Sequence, residues 1–221
     1  MSVEKKRLPI KSHDRLVSKE QREISVDKIK RSYDDVFNTL ASKQGEFIWK
    51  EFKLQSSAYH PEIALLGFLP SVEKSSISTQ QGFFERTEGL GLPRILSYLK
   101  EQGYSTAGCR IPLNDEKSLD ILLEKIKSEK NLKVFGISAF TFEMDWVKKV
   151  AKAIKKTAPN IRLVLGGPHA DSSYVSAKKI SKQYSIQVNV SNSLEVRNLL
   201  SYFDHIAMGS GEMTLSNLLK G

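Results

Sequence analysis

The chain has 221 residues, 40% hydrophobic and 27% charged, with a formal net charge of +9 and one cysteine, Cys109. That length suits one sizeable core plus an appendage, the lone cysteine excludes a disulfide framework or a thiolate cluster, and no run reaches the roughly 18 apolar residues of a membrane span. The positive charge calls for something anionic. However, the lysines sit on helical patterns such as VKKVAKAIKKTAP, without the interleaved aromatics of a nucleic-acid platform, and read as solvated helix faces.

The basic start, MSVEKKRLPIKSHDR, has no apolar stretch behind it, so it does not read as a secretory signal and predicts a cytoplasmic location. SVDKIKRSYDDVFNTLASKQ spaces Val26, Ile29, Tyr33, Val36, Phe37 and Leu40 as an amphipathic helix. EFIWKEFKL, with Phe47, Ile48, Trp49 and Phe52, repeats that helical theme after Gly45. Residues 1–57 are therefore predicted to be a helical N-terminal extension, and residues 58–221 an α/β domain.

From Pro61 the rhythm changes. EIALLGFLP predicts a strand covered on both faces, LGLPRILSYLKEQG a helix ending at Gly103, and YSTAGCRIPL a second, weaker strand. EKSLDILLEKIKSEK is helical, LKVFGISAF a third strand, FEMDWVKKVAKAIKKTAP a helix stopped by Pro159, and IRLVLGG a fourth strand. YVSAKKISKQY and SLEVRNLLSYF are polar–apolar segments, FDHIAMGSGE carries a fifth strand, and MTLSNLLKG closes with a helix. This alternation predicts a five-stranded parallel sheet of flavodoxin-like (Rossmann-like) order with helices on both faces.

Ligands of such sheets bind outside the C-terminal strand ends. The first strand ends in Gly67-Phe68-Leu69-Pro70 and the third in Gly136-Ile137-Ser138-Ala139-Phe140-Thr141, with Leu69, Pro70, Ser138, Ala139, Phe140 and Thr141 as the candidate contacts. Gly166, Gly167, Pro168 and His169 follow the fourth, and Gly209, Ser210, Gly211 and Glu212 the fifth. Glycines let a bulky ligand approach the backbone, although they also simply turn the chain. The phosphate-binding loop, the dinucleotide fingerprint and the nucleophile elbow are absent. His169 reads as a strand-end residue rather than a reactive one, since a catalytic role needs an orienting partner and only Asp171 is near in sequence. Glu212 fits equally as a first-turn helix carboxylate or as a ligand contact. Phe142 and Trp146 read as core residues, Cys109 as a buried small hydrophobe, and His205 as structural.

Taken in order, PEIALLGFLP, LPRILSYLKEQGY, VFGISAFTFEMDWVKKVAKAIKKTAPNIRLVLGGPHA and FDHIAMGSGEMTL resemble the cobalamin-binding domain at the front of cobalamin-dependent radical S-adenosylmethionine enzymes. The resemblance covers Pro61 to Gly221. It implies a flavodoxin-like fold, cobalamin as cofactor and hence binding of its metal ion, and a nucleotide tail threaded into the C-terminal sheet edge. It also implies that Ser138, Gly166 and Gly167 line that slot.

Two departures qualify what is carried over. Carriers of the mutase type bear Asp-x-His-x-x-Gly after the first strand, but Ser71 to Gly91 contains no histidine, so a lower cobalt ligand from this loop is excluded. The radical enzymes continue into a barrel with CxxxCxxC, whereas one cysteine cannot hold a four-iron cluster. The expectation is a cobalamin-binding module that lacks the catalytic barrel, is not catalytic by itself, and partners a radical SAM catalytic domain or subunit. A cofactor-free domain used for protein contacts or regulation is the alternative.

Overall fold

The computed structural model describes residues 28, 30–32, 34–36, 48–52, 60–69, 80–173, 194–209 and 211–220. The strands are β1 (Ile48–Phe52), β2 (Ile63–Leu69), β3 (Thr106–Pro112), β4 (Val134–Ser138), β5 (Arg162–Gly166) and β6 (His205–Ile206). The helices are α1 (Gln80–Glu101), α2 (Glu116–Ser128), α3 (Met144–Thr157), α4 (Leu194–Leu200) and α5 (Gly211–Lys220). The sheet runs β1-β3-β2-β4-β5-β6, and every pairing is parallel except that of β1 with β3.

Five parallel strands thus take the flavodoxin-like order predicted from the sequence, but the sheet has six strands, not five. The extra one is IWKEF, predicted as helix. Its side chains alternate: Ile48 is buried in the core beneath α1, while Trp49 packs on the core across the sheet. A short run apolar on both faces suits either period, and pairing along β3, with Trp49 opposite Cys109, selects the strand. Lys125 of α2 holds Glu51 at 3.2 Å and lies over the Trp49 ring, fastening β1 to the domain. The predicted boundary at residues 57 and 58 falls outside the described residues.

Other elements shift as well. α1 starts at Gln80 and continues through three glycines and Pro93, which the sequence reading took for loop and helix start. The predicted fifth strand shrinks to His205–Ile206. Of the first predicted helix, residues 28, 30–32 and 34–36 are helical, with Val36 fully buried. YVSAKKISKQY lies outside the described residues. No helix among the described residues is long and apolar enough to cross a membrane.

Both sheet faces are covered. On one side Ala64, Leu66, Phe135, Ile137, Leu163 and Leu165 pack under α2, α3 and α4; on the other, Ile63, Leu65, Val134 and Val164 pack under α1 and α5. α3 buries Met144, Trp146, Val147, Val150, Ala151 and Ile154, leaving its lysines outward, as the predicted solvated face requires. Asp115 caps α2 by accepting from the Lys117 N–H and the Ser118 hydroxyl. Phe142 is 66% exposed on a short 3-10 turn, Thr141–Glu143, and is not a core residue as predicted. Its ring stacks on Phe140 instead.

At the far edge, Asp204 accepts from the Leu163 N–H at 2.8 Å and pairs with Lys155 at 2.7 Å, holding β6 against β5 and α3. Burial alone would raise the carboxyl pKa, but the Leu163 N–H and the Lys155 charge outweigh it and hold the group below its ordinary value. The folded form therefore binds this proton more weakly than the unfolded chain. The stabilisation is complete above the ordinary aspartate pKa of about 3.9 and is lost as pH falls through the lower folded value. Asp204→Asn should cost about 0.5–1 kcal/mol at neutral pH, the low end for a solvent-screened pair, and should flatten the acid limb of stability measured by urea unfolding.

Candidate functional site

Strand alternation that sends Leu65, Val134 and Val164 under α1 and α5 also sends Gly67, Gly136, Ser138 and Gly166 to that face. The wall is therefore apolar near the strand starts and stripped of side chains toward the strand ends. Here the structure opens a cavity of about 500 Å³, within the ~300–1,000 Å³ range of small-molecule sites. It extends from Leu65, Gly136 and Val164 in the sheet to Pro168 and Gly209 at the loops, with Leu92 and Ile95 of α1 and Leu215 of α5 opposite.

Of the residues predicted from sequence, Ser138, Phe140, Gly166, Gly167, Pro168, Gly209, Gly211 and Glu212 line this cavity. Ala139, Thr141 and His169 are not on its wall, and Leu69 ends β2. Pro70 and Ser210 lie outside the described residues. Gly67 and Gly136, which open the strand-end runs GFLP and GISAFT read from the sequence, line the cavity too, whereas Arg110, also on its wall, was missed. A glycine within an apolar strand run, as in LLGFL and VFGIS, signals a close approach.

The glycines play different parts. A Cβ at Gly136 would lie 2.6 Å from the Leu65 Cδ2, and one at Gly67 3.3 Å from the Leu92 Cδ1, so the missing side chains make room for Leu65 and Leu92 on the cavity wall. At Gly166 a Cβ would make only ordinary contact with Ala207. Gly167 is required by the backbone: its φ is +88°, and a Cβ would lie 2.7 Å from Ser138 Oγ and 2.8 Å from the Ala139 nitrogen. That crowding comes from two loops stitched together, with the Ala139 N–H donating to Gly166 O and the His169 N–H to Ala139 O.

The ring of His169 is turned away from the cavity wall. Its Nδ1 lies 3.2 Å from Thr141 Oγ1, its carbonyl accepts from Ser172 and Ser173, and it is 8% exposed. Burial, reinforced by Lys148, pushes its pKa below the ordinary value despite the opposing charge of Glu195. Asp171 does not orient this imidazole; it accepts the Gly209 N–H at 2.7 Å and ties the segment after β6 to the segment after β5. No acid–base pair forms here.

Glu212 lies in the first turn of α5, lines the cavity, and pairs with Arg94 Nε of α1 at 2.7 Å, joining the two covering helices. Cys109 is fully buried, its S–H donating to Leu65 O, and burial pushes its pKa up, so it is an inert core residue as predicted. Among the described residues, no three His, Cys, Asp or Glu side chains come together as a metal-ligand set.

The strands and helices that build this cavity coincide with a known sequence pattern. Residues 85–184 match the family model of the B12 binding domain. The match takes in most of α1 and all of β3 through β5, and it supports a cobalamin-binding domain. No curated protein matches the chain.

Two measurements check this geometry. Gly167→Ala should lower the unfolding free energy by at least about 1 kcal/mol in urea titration, because conformation and crowding both oppose it. Gly209→Ala, with φ +74° but open space around the new methyl, should cost less. Separately, the lowered pKa of His169 means the unfolded chain takes its proton first. Stability contributed by the neutral ring is present above about pH 6.5 and lost below it, and His169→Gln should remove that component of the pH profile.

Proposed function

We propose that this chain is a cobalamin-binding module, with the cavity under α1 and α5 as the slot for the cofactor's nucleotide tail. The observation that carries this is the pair Gly67 and Gly136, which remove side chains from neighbouring central strands on the one face where the cavity lies. A flat aromatic base needs such a bare strip of backbone on one side and apolar side chains on the other, here Leu92, Ile95 and Leu215. Ser138, on the same face, offers a hydroxyl for a ring nitrogen that would otherwise be buried unpaired. The residues present therefore fit the group. The chemistry that cobalamin supplies when bound is the making and breaking of a cobalt–carbon bond.

The finer reading is that the module serves a cobalamin-dependent radical SAM enzyme whose barrel is supplied by another domain or subunit. The ordered resemblance of the strand-end motifs supports it. A partner at the strand ends would meet Phe142, Met208 and Met213, all exposed and borne by segments next to cavity-lining residues. On this reading the chain holds the cofactor and the partner performs catalysis.

The test is to mix purified protein with hydroxocobalamin, desalt, and record the visible spectrum. Retained absorbance at one equivalent is expected. Folded protein that retains none returns the chain to the reading of a cofactor-free interaction domain. Gly67→Val should lower cobalamin affinity at least about tenfold, or about 1.4 kcal/mol, with circular dichroism unchanged, because the added side chain enters the slot.

A further inference from the structure

The far end of the cavity differs chemically from its mouth. Leu65, Gly136 and Val164 are register partners and form an inner row across β2, β4 and β5. Ser138 and Gly166 pair two residues further out, toward the loops. Leu65 reaches across Gly136, where a Cβ would lie 2.6 Å from its Cδ2, so the inner row presents Leu65 and Val164 to the cavity. Leu92 and Ile95 of α1 and Leu215 of α5 face them. These three strands each have a neighbour on both sides, so the N–H and C=O groups of the inner row are engaged in the ladder. The charged wall residues belong to other levels. Arg110 is the partner of Gly67 in the outer row, Glu143 and Asp171 accept backbone N–H groups of the rim, and Arg94 pairs with Glu212.

We infer that this apolar far end selects the base of the tail, holding corrinoids that carry a benzimidazole in preference to those that carry a purine. Leu65 and Val164 are the discriminating residues. This rests on the cobalamin reading above. In both classes the five-membered ring carries the ribose, so the six-membered ring leads into the slot. There a benzimidazole shows only carbon, whereas adenine shows ring nitrogens and an exocyclic amine that must give up their water. Neither Leu65 nor Val164 can form a hydrogen bond and the strand amides are already engaged, so a purine is left with buried, unpaired polar groups. The imidazole nitrogen that Ser138 is suited to meet is common to both classes. Ser138 therefore orients the base without telling one class from the other.

The experiment is anaerobic equilibrium dialysis of wild type and Val164→Thr with cobalamin and with its analogues bearing unsubstituted benzimidazole or adenine. All are reduced to cobalt(I), where no base is coordinated, so that release of the base from the metal does not enter the comparison. Unsubstituted benzimidazole has nearly the outline of the adenine bicycle, which separates polarity from size. Wild type should hold both benzimidazole forms at least about tenfold more tightly than the adenine form. Val164→Thr, which exchanges a methyl for a hydroxyl in the inner row, should narrow that ratio by about threefold or more. Equal retention of the adenine and unsubstituted benzimidazole forms by wild type overturns the inference and leaves cobalamin binding intact. An unchanged ratio in folded Val164→Thr overturns it as well. Should that variant not fold, the wild-type comparison decides alone. Wild type binding none of the three fails the cobalamin reading itself.

Discussion

A strand inside a parallel sheet shows alternate residues to two opposite faces, and in β2, β4 and β5 both faces are covered by helices. Everything at the candidate site depends on how these strands break that symmetry. Toward α2 and α3 their apolar side chains continue along the strands, giving one unbroken core that contains Phe135, Ile137 and Leu165. Toward α1 and α5, Leu65, Val134 and Val164 are followed on the same face by Gly67, Gly136 and Gly166, with Ser138 at the end of β4. One face therefore closes by packing. The other closes only over half its length, and the balance is the cavity.

A cavity beside loops is useful only if the loops hold their places, and here the holding is polar. The ends of β4 and β5 are stitched by two backbone hydrogen bonds through Ala139. Asp171 clasps the segment after β6, Glu143 pins the turn after β4, and Glu212 spans to Arg94. The bonds at Ala139, His169, Phe140 and Gly209 satisfy backbone N–H groups at strand and turn ends, so there shaping the rim and satisfying the backbone are the same act. The conspicuous histidine takes part as one more buried linker, bonded to Thr141 and to two serines.

How much of this could be read from the sequence follows from what each signal measures. The five parallel strands and their order were legible because apolar runs such as EIALLGFL, alternating with long helices, leave few right-handed topologies. IWKEF was not, since five residues that bury both faces carry no period, and only pairing with β3 decides them. The start of α1 was hidden by glycines that normally punctuate helices. At the site, the strand-end glycines were found and their separate duties were not. Gly167 is fixed by a positive φ and by Ser138 across the loop, while Gly166 has room to spare, a difference that depends on a neighbouring strand and not on the letters GG. Arg110 was passed over because a charged residue in a weak strand looks like an edge residue until the register puts it beside Gly67.

The sheet order has a bearing on the segment that carries the family pattern. Residues 85–184 include β3, β4 and β5, yet the strand lying between β3 and β4 is β2, contributed from outside that segment. A fragment cut to the matched boundaries would leave two rows of backbone donors and acceptors facing an empty lane at the centre of the sheet. The recognisable pattern and the unit that can stand alone are therefore different stretches of chain. On the other flank, β1 covers the outer edge of β3, so the segment ahead of Pro61 shields a border that would otherwise invite other strands.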